Sequence, residues 1–236
     1  MITTSEDFEQ TLANDESLVK LLEQKDINIL TNFSRGNYSD KFKEYISKRY
    51  YDAFQDIYAK NTSEETVGKV TSLLRSVEFL STPSTRDKIV ELLLPTLEKA
   101  AKDLEAFKQY IHDEKLLIEN GDLLDNSLTP VVTNIFNKFG EYEPVKEYKS
   151  KILNSAFDIC DAVASANPKK YPMKYATYNA VMNNIEKVYS FDDLKGRYDQ
   201  HNSKISRKRT GVEVKYVIGV IAIILLILFR ILKRLD

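Results

Sequence analysis

The side chains able to do chemistry in this chain are few and widely spaced. There are two histidines, His112 and His201, and one cysteine, Cys160. A zinc site needs three or four ligands at close spacing, and neither histidine has a second His or a Cys at such a distance. Cys160 sits in Phe157-Asp158-Ile159-Cys160-Asp161-Ala162, between two carboxylates. Those acids oppose thiolate formation, so the expectation is a buried residue on an amphipathic helix. A lone cysteine also rules out an internal disulfide and fits a reducing compartment. The seven glycines are scattered singly, so no phosphate-binding loop or dinucleotide fingerprint exists, and no serine lies in a nucleophile-elbow context. The acidic pairs Asp113/Glu114 and Asp192/Asp193 are sequence neighbours. On a helix such neighbours do not face one way, so they read as caps or solvated surface. No catalytic, cofactor or metal residue is predicted, and the chain reads as not an enzyme.

The residue types that do suggest an activity are cations beside an apolar run. Tyr216 to Phe229, YVIGVIAIILLILF, contains no charged or amide side chain. Fourteen residues of helix cover roughly 21 Å, short of the ~30 Å hydrocarbon core. Snorkelling of Lys215 and Arg230 extends the span to 212–232, about the ~20 residues that a crossing helix requires. The alternative, a buried core helix, fits poorly with a run that is apolar all round. Lys204, Arg207, Lys208, Arg209 and Lys215 precede the run, and Arg230, Lys233 and Arg234 follow it. Such residues set topology and contact anionic headgroups. Five before against three after places the N-terminal domain on the cytoplasmic side. So does a start, MITTSEDFEQ, with neither a basic region nor an apolar one for export. The expectation is a single-pass, tail-anchored protein: 204–211 a basic juxtamembrane stalk, 212–232 the anchor, 233–236 a short basic tail. The membrane would be the inner one in a bacterium, and the mitochondrial outer, peroxisomal or ER membrane in a eukaryote.

Eight basic and two acidic residues lie from Lys204 onward, which leaves 26 of the 34 basic and 33 of the 35 acidic residues in 1–203, a net charge of −7. An acidic domain is ill suited to nucleic acid. Few glycines and prolines, with fourteen tyrosines and eleven phenylalanines, describe ordered material with a real core.

The elements that carry these residues read as all-α: a multi-helix soluble domain, 1–203, followed by one transmembrane helix. One or two short helices occupy residues 1–25, with Asn14 and Asp15 as a cap. Ser34 to Asn37 is a turn. Phe42, Tyr45, Ile46, Tyr50, Phe54, Ile57 and Tyr58 recur at helical spacing over 39–60. Thr62-Ser63-Glu64-Glu65 is a capping box before the stripe Val67, Val70, Leu73, Leu74, Val77, Leu80. A long pattern then runs to Glu119, with Pro95 inside it predicting a kink or a split, and Asn120-Gly121 a stop. Helices follow from Pro130 to Gly140, from Pro144, at 173–189, and from Asp192 into the stalk. The segments KFKEYISKRYYDAF (from Lys41) and PVKEYKSKILNSAF (from Pro144) share a Lys-Glu-Tyr-x-Ser-Lys core at an offset of 103. That match predicts two similar lobes, about 26–82 and 128–190. The alternative is chance likeness between amphipathic helices of one period.

The function class that follows is an interaction protein. A cytoplasmic helical adaptor or scaffold would meet anionic lipid through its stalk and an unknown protein partner through its domain. Membrane remodelling or fusion would need an unbroken heptad run into the anchor. Here Val188, Leu194, Tyr198 and Ile205 are sparse, and Gly196 and Gly211 intervene. A tail-anchored death regulator would carry an Asn-Trp-Gly-Arg signature, and the chain has no Trp. An enzyme whose site is assembled only by folding is the remaining alternative.

Overall fold

A computed structural model describes residues 5–27, 38–61, 67–167 and 169–203. All regular structure among them is helical, with no strand. The chain divides into two units, 1–190 and 191–236.

In the first unit α1 (Ser5–Ala13) and α2 (Glu16–Leu22) precede α3 (Asp40–Lys60). Asp15 caps α2, its carboxylate accepting from the Leu18 amide at 3.0 Å. Ser39 does the same for α3, accepting from Phe42 at 3.2 Å. The apolar period of α3 puts Phe42, Ile46, Tyr50, Ala53, Phe54, Ile57 and Tyr58 on its buried face. α4 (Val67–Leu80) buries Val70, Leu73, Leu74, Val77 and Leu80. The capping box and the Ser34–Asn37 turn lie outside the described residues.

α5 (Pro83–Lys108) is the axis of the unit. It starts from a Thr82 cap with Pro83 in its first turn, where a missing amide costs nothing. It packs on α3, on α7 (Gly121–Ser127), on α8 (Pro130–Phe139) and on α9 (Glu143–Val163). Pro95 neither splits nor ends it: the helix runs through as one element of 26 residues. It does end earlier than the expected Glu119, and α6 (Glu114–Glu119) is a separate short helix capped by Asp113. Asn120 ends α6, but α7 begins at once rather than yielding to a loop. α10 (Pro172–Ile185) packs on α9 and α6, and stops short of residue 189. In the second unit a 3-10 turn at Asp192–Leu194 leads into helix from 195 to 203. Phe191 stacks on Tyr198 there, with centroids 4.1 Å apart.

The two matching segments have the same form. α3 and α9 are 21 residues each, and α4 and α10 are 14 each. At the offset of 103, Phe42/Val145, Ile46/Lys149, Tyr50/Leu153, Ala53/Ala156, Phe54/Phe157 and Ile57/Cys160 are all buried. The α4 stripe reappears as buried Tyr178, Val181, Met182, Ile185 and Val188.

Where α3 meets α4, the fully buried Tyr50 hydroxyl lies 2.7 Å from Ser76 Oγ. Ser76 donates to the Leu73 carbonyl at 2.7 Å, so the tyrosine is the donor between them. Burial pushes the Tyr50 hydroxyl pKa well above the usual tyrosine range. The two deletions should differ. Tyr50→Phe leaves Ser76 its carbonyl, a loss of about 1 kcal/mol, whereas Ser76→Ala strands a buried donor at about 1–3 kcal/mol. Urea melts of both variants and the double variant check this. A double variant no more stable than Ser76→Ala would contradict it.

α1 is latched to α3 from outside. Phe8 packs edge-on against Phe42, centroids 5.8 Å apart, and the Tyr45 hydroxyl donates to Glu9. Arg49 reaches the same carboxylate at 3.3 Å. The Tyr45 hydrogen bond, then Arg49, hold Glu9 below its ordinary pKa. A depressed carboxylate stabilises above its unfolded value, about 4.3, and loses that contribution as pH falls through the folded value. The protection factors of the α1 amides, exchange measured against the intrinsic rate at each pH, should therefore fall on acidification below about pH 4.3, and Glu9→Gln should flatten that response. An unchanged profile in Glu9→Gln would assign the acid response to other groups.

Candidate functional site

Two clefts lie end to end along the seam between α4 and α8. Residues 71, 74/75 and 78 of α4 fall on one side of that helix, beside its buried stripe, because three- and four-residue steps return to the same face. On α8, Asn134, Asn137 and Lys138 do likewise. Together with Phe79 and Tyr189 these residues line a cleft of 360 Å³. Val77, Glu78, Arg86, Lys138, Phe139 and Tyr142 line a second of 300 Å³. Glu78 and Lys138, paired at 2.5 Å, belong to both. That partner draws the Glu78 pKa below its ordinary value, through the hydrogen bond first.

The seam is held by amides. Asn134 donates to Thr71 Oγ1 at 2.7 Å, and Thr71 in turn donates to the Val67 carbonyl at 2.9 Å. Asn137 donates to the Lys187 carbonyl and accepts from the Tyr189 amide, both at 2.8 Å. This two-point clamp fixes the backbone after α10, leaving the Tyr189 ring 84% exposed at the cleft mouth. Phe79, 39% exposed, stands on the α4 side.

At the other end Arg86, in the second turn of α5, donates through Nη1 to the Tyr142 hydroxyl at 2.9 Å. Its Nε donates to Ser81 Oγ at 3.4 Å. Both partners are neutral, and Arg86 forms no ion pair among the described residues. Arg75, exposed on α4, has neither hydrogen-bond nor ion-pair partner among them. A half-buried guanidinium bonded only to neutral groups, with the Glu78 carboxylate as the one acid of its cleft, can take an anion in fork geometry, and two exposed rings can cover an apolar group.

Comparison with protein-family models, curated proteins and solved structures returns no match. The geometry alone carries the functional reading.

Of the residues singled out in the sequence, Cys160 is fully buried in α9. His112 is exposed between α5 and α6, its carbonyl accepting from Lys174 Nζ at 3.2 Å, and His201 belongs to the second unit. The Asp113/Glu114 pair caps two helices. Asp113 accepts from Lys115 and Leu116 at 2.7 and 3.3 Å. Glu114 receives the Met173 and Lys174 amides at 2.9 and 3.0 Å, at the start of α10. Asp192 and Asp193 sit on the 3-10 turn, Asp192 with φ 48°. The stalk and anchor cations Lys204, Arg207, Lys208, Arg209, Lys215, Arg230, Lys233 and Arg234 lie outside the described residues, as do segments 204–211, 212–232 and 233–236. Among the described residues no helix is long and apolar enough to cross a membrane. The cleft residues Arg75, Glu78, Phe79, Arg86, Lys138, Tyr142 and Tyr189 are not evident from the linear sequence, because Arg86 and Tyr142 lie 56 positions apart and Glu78 and Lys138 60.

Proposed function

We propose that this protein is a tail-anchored adaptor: 212–232 crosses a membrane, the stalk cations of 204–211 grip anionic headgroups, and the helical domain presents a docking surface to the cytoplasm. The observation that carries the reading is the uninterrupted apolar run Tyr216–Phe229, which begins a few residues after the Arg207-Lys208-Arg209 cluster. Membrane insertion of such a run needs no other residue, because a helix satisfies its own backbone in lipid. The net charge of −7 on 1–203 supports a domain held off the anionic surface that attracts the stalk. Equal helix lengths and a shared burial register support an origin of α3–α4 and α9–α10 as two copies of one hairpin, bracketing α5.

The test is protease protection of the full chain, tagged at both ends, in membranes washed with alkali. The expected result is a chain that stays with the membrane and loses its N-terminal tag to protease, and deletion of 212–236 should release it. Extraction of the full chain by alkali would make 212–232 part of a protein core, and a protected N-terminal tag would put the domain on the opposite side.

A further inference from the structure

We infer that the α4–α8 seam binds an acidic segment of a partner protein that carries an aromatic or aliphatic side chain. The inference rests on the adaptor reading and names the kind of partner. Charge points to the acids: the joined clefts carry Arg75, Arg86 and Lys138 against the single acid Glu78, in a domain whose net charge is −7. An acidic segment is repelled by the rest of the domain and drawn to this island, which gives both steering and register. Arg86 is already oriented by Ser81 and Tyr142, and its remaining N–H groups have no protein acceptor among the described residues. A carboxylate there gains charge-assisted bonds with little further ordering.

The rings point to a protein segment rather than a free anion. Among the described residues four large apolar side chains are exposed, and two of them, Phe79 and Tyr189, flank this seam. The Asn137 clamp holds the Tyr189 backbone in place, so covering the ring costs little entropy. A bare phosphate would leave both rings in water; a segment with an apolar side chain next to its acids covers them.

The probe is a fluorescein-labelled peptide of about a dozen residues, Glu and Asp with two phenylalanines, against the full chain in neutral phosphatidylcholine nanodiscs. Two controls replace its acids by amides or its phenylalanines by serine. Anisotropy should show saturable binding by the acidic peptide that weakens with salt, and each control should bind at least about tenfold more weakly. Arg75→Gln, Arg86→Gln and Tyr189→Ser should each weaken binding several-fold, with unchanged circular dichroism. Arg75 has no partner among the described residues, so Arg75→Gln separates binding from folding. No binding, equal binding of the acid and amide peptides, or binding untouched by Arg75→Gln and Arg86→Gln would overturn the inference. So would concentration-dependent self-association abolished by those substitutions, which would give the seam to a second copy. Alkali resistance of the same variants reports on the anchor separately, so the seam can fail while the adaptor reading stands, and the reverse.

Discussion

Lys149→Ala should remove about 4 kcal/mol or more of unfolding free energy, and Lys149→Met only about 1–2 kcal/mol. Lys149 is 2% exposed, within a face of α9 that also buries Val145, Ile152, Leu153 and Ala156. Its stem and ammonium lie over Gly140: a Cβ at that glycine would stand 3.2 Å from both Cδ and Nζ, and 2.4 Å from the Phe136 carbonyl oxygen. The glycine, which ends α8, thus leaves room for the lysine, and the ammonium sits where the C-terminal carbonyls of α8 favour a cation, by up to about 2 kcal/mol when partly buried. Alanine removes that contribution and also empties the volume of the stem, and a cavity of that kind costs about 2–5 kcal/mol by itself. Methionine fills the volume and forfeits the charge together with the interactions the ammonium makes. Ile46, at the matching place on α3, is 0% exposed and purely apolar, which shows that the helix packing accepts a hydrophobe at this register. Urea midpoints with an unchanged slope would measure both variants. If methionine proved as damaging as alanine, the ammonium and its partners, not the packed stem, would be what the core depends on.

That lysine also marks where sequence periodicity stops being informative. In α3, α8 and α9 the apolar period and the start signals agree, so Ser39, Thr129 and Pro144 fall within a residue or two of the helix starts found. A charged side chain inside a buried stripe carries no such signal, since the same letter on a helix usually means a solvated face. The end of α5 was hidden for a related reason. Leu104, Phe107 and Ile111 continue the period past Lys108, where the helix ends, and only the Asp113/Glu114 pair hints at the new start. The seam was least legible. Phe79 is out of phase with Val77 and Leu80, a sign that it faces away from the core, but its neighbours Arg86, Lys138, Tyr142 and Tyr189 arrive only through packing of α8 on α4 and α5.

Pro95→Ala should make the protein more stable, by about 1–3 kcal/mol, which for a domain of this size is roughly a 4–8 °C rise in Tm for a mid-range gain of about 2 kcal/mol. An interior proline removes one helical hydrogen bond and crowds the turn before it, here at the carbonyl of Glu91. Pro95 and Glu91 are both exposed, so that carbonyl can be met by water, and the buried stripe Ile89, Leu93, Leu97, Ala100, Leu104 runs past the proline in phase. Placement opposite the core explains why α5 survives intact where a split was expected. Alanine restores the bond and the better propensity, a difference of about 3 kcal/mol in a helix interior. It returns some freedom to the unfolded chain, which takes back up to about 1 kcal/mol. Glycine at the same place should gain about 1 kcal/mol less than alanine, for its own backbone entropy. A loss of stability in Pro95→Ala, by calorimetry, would reverse this account. The proline would then be setting a bend that lets one helix pack on α3 and α9 at once, and the straightened helix would have lost one of those contacts.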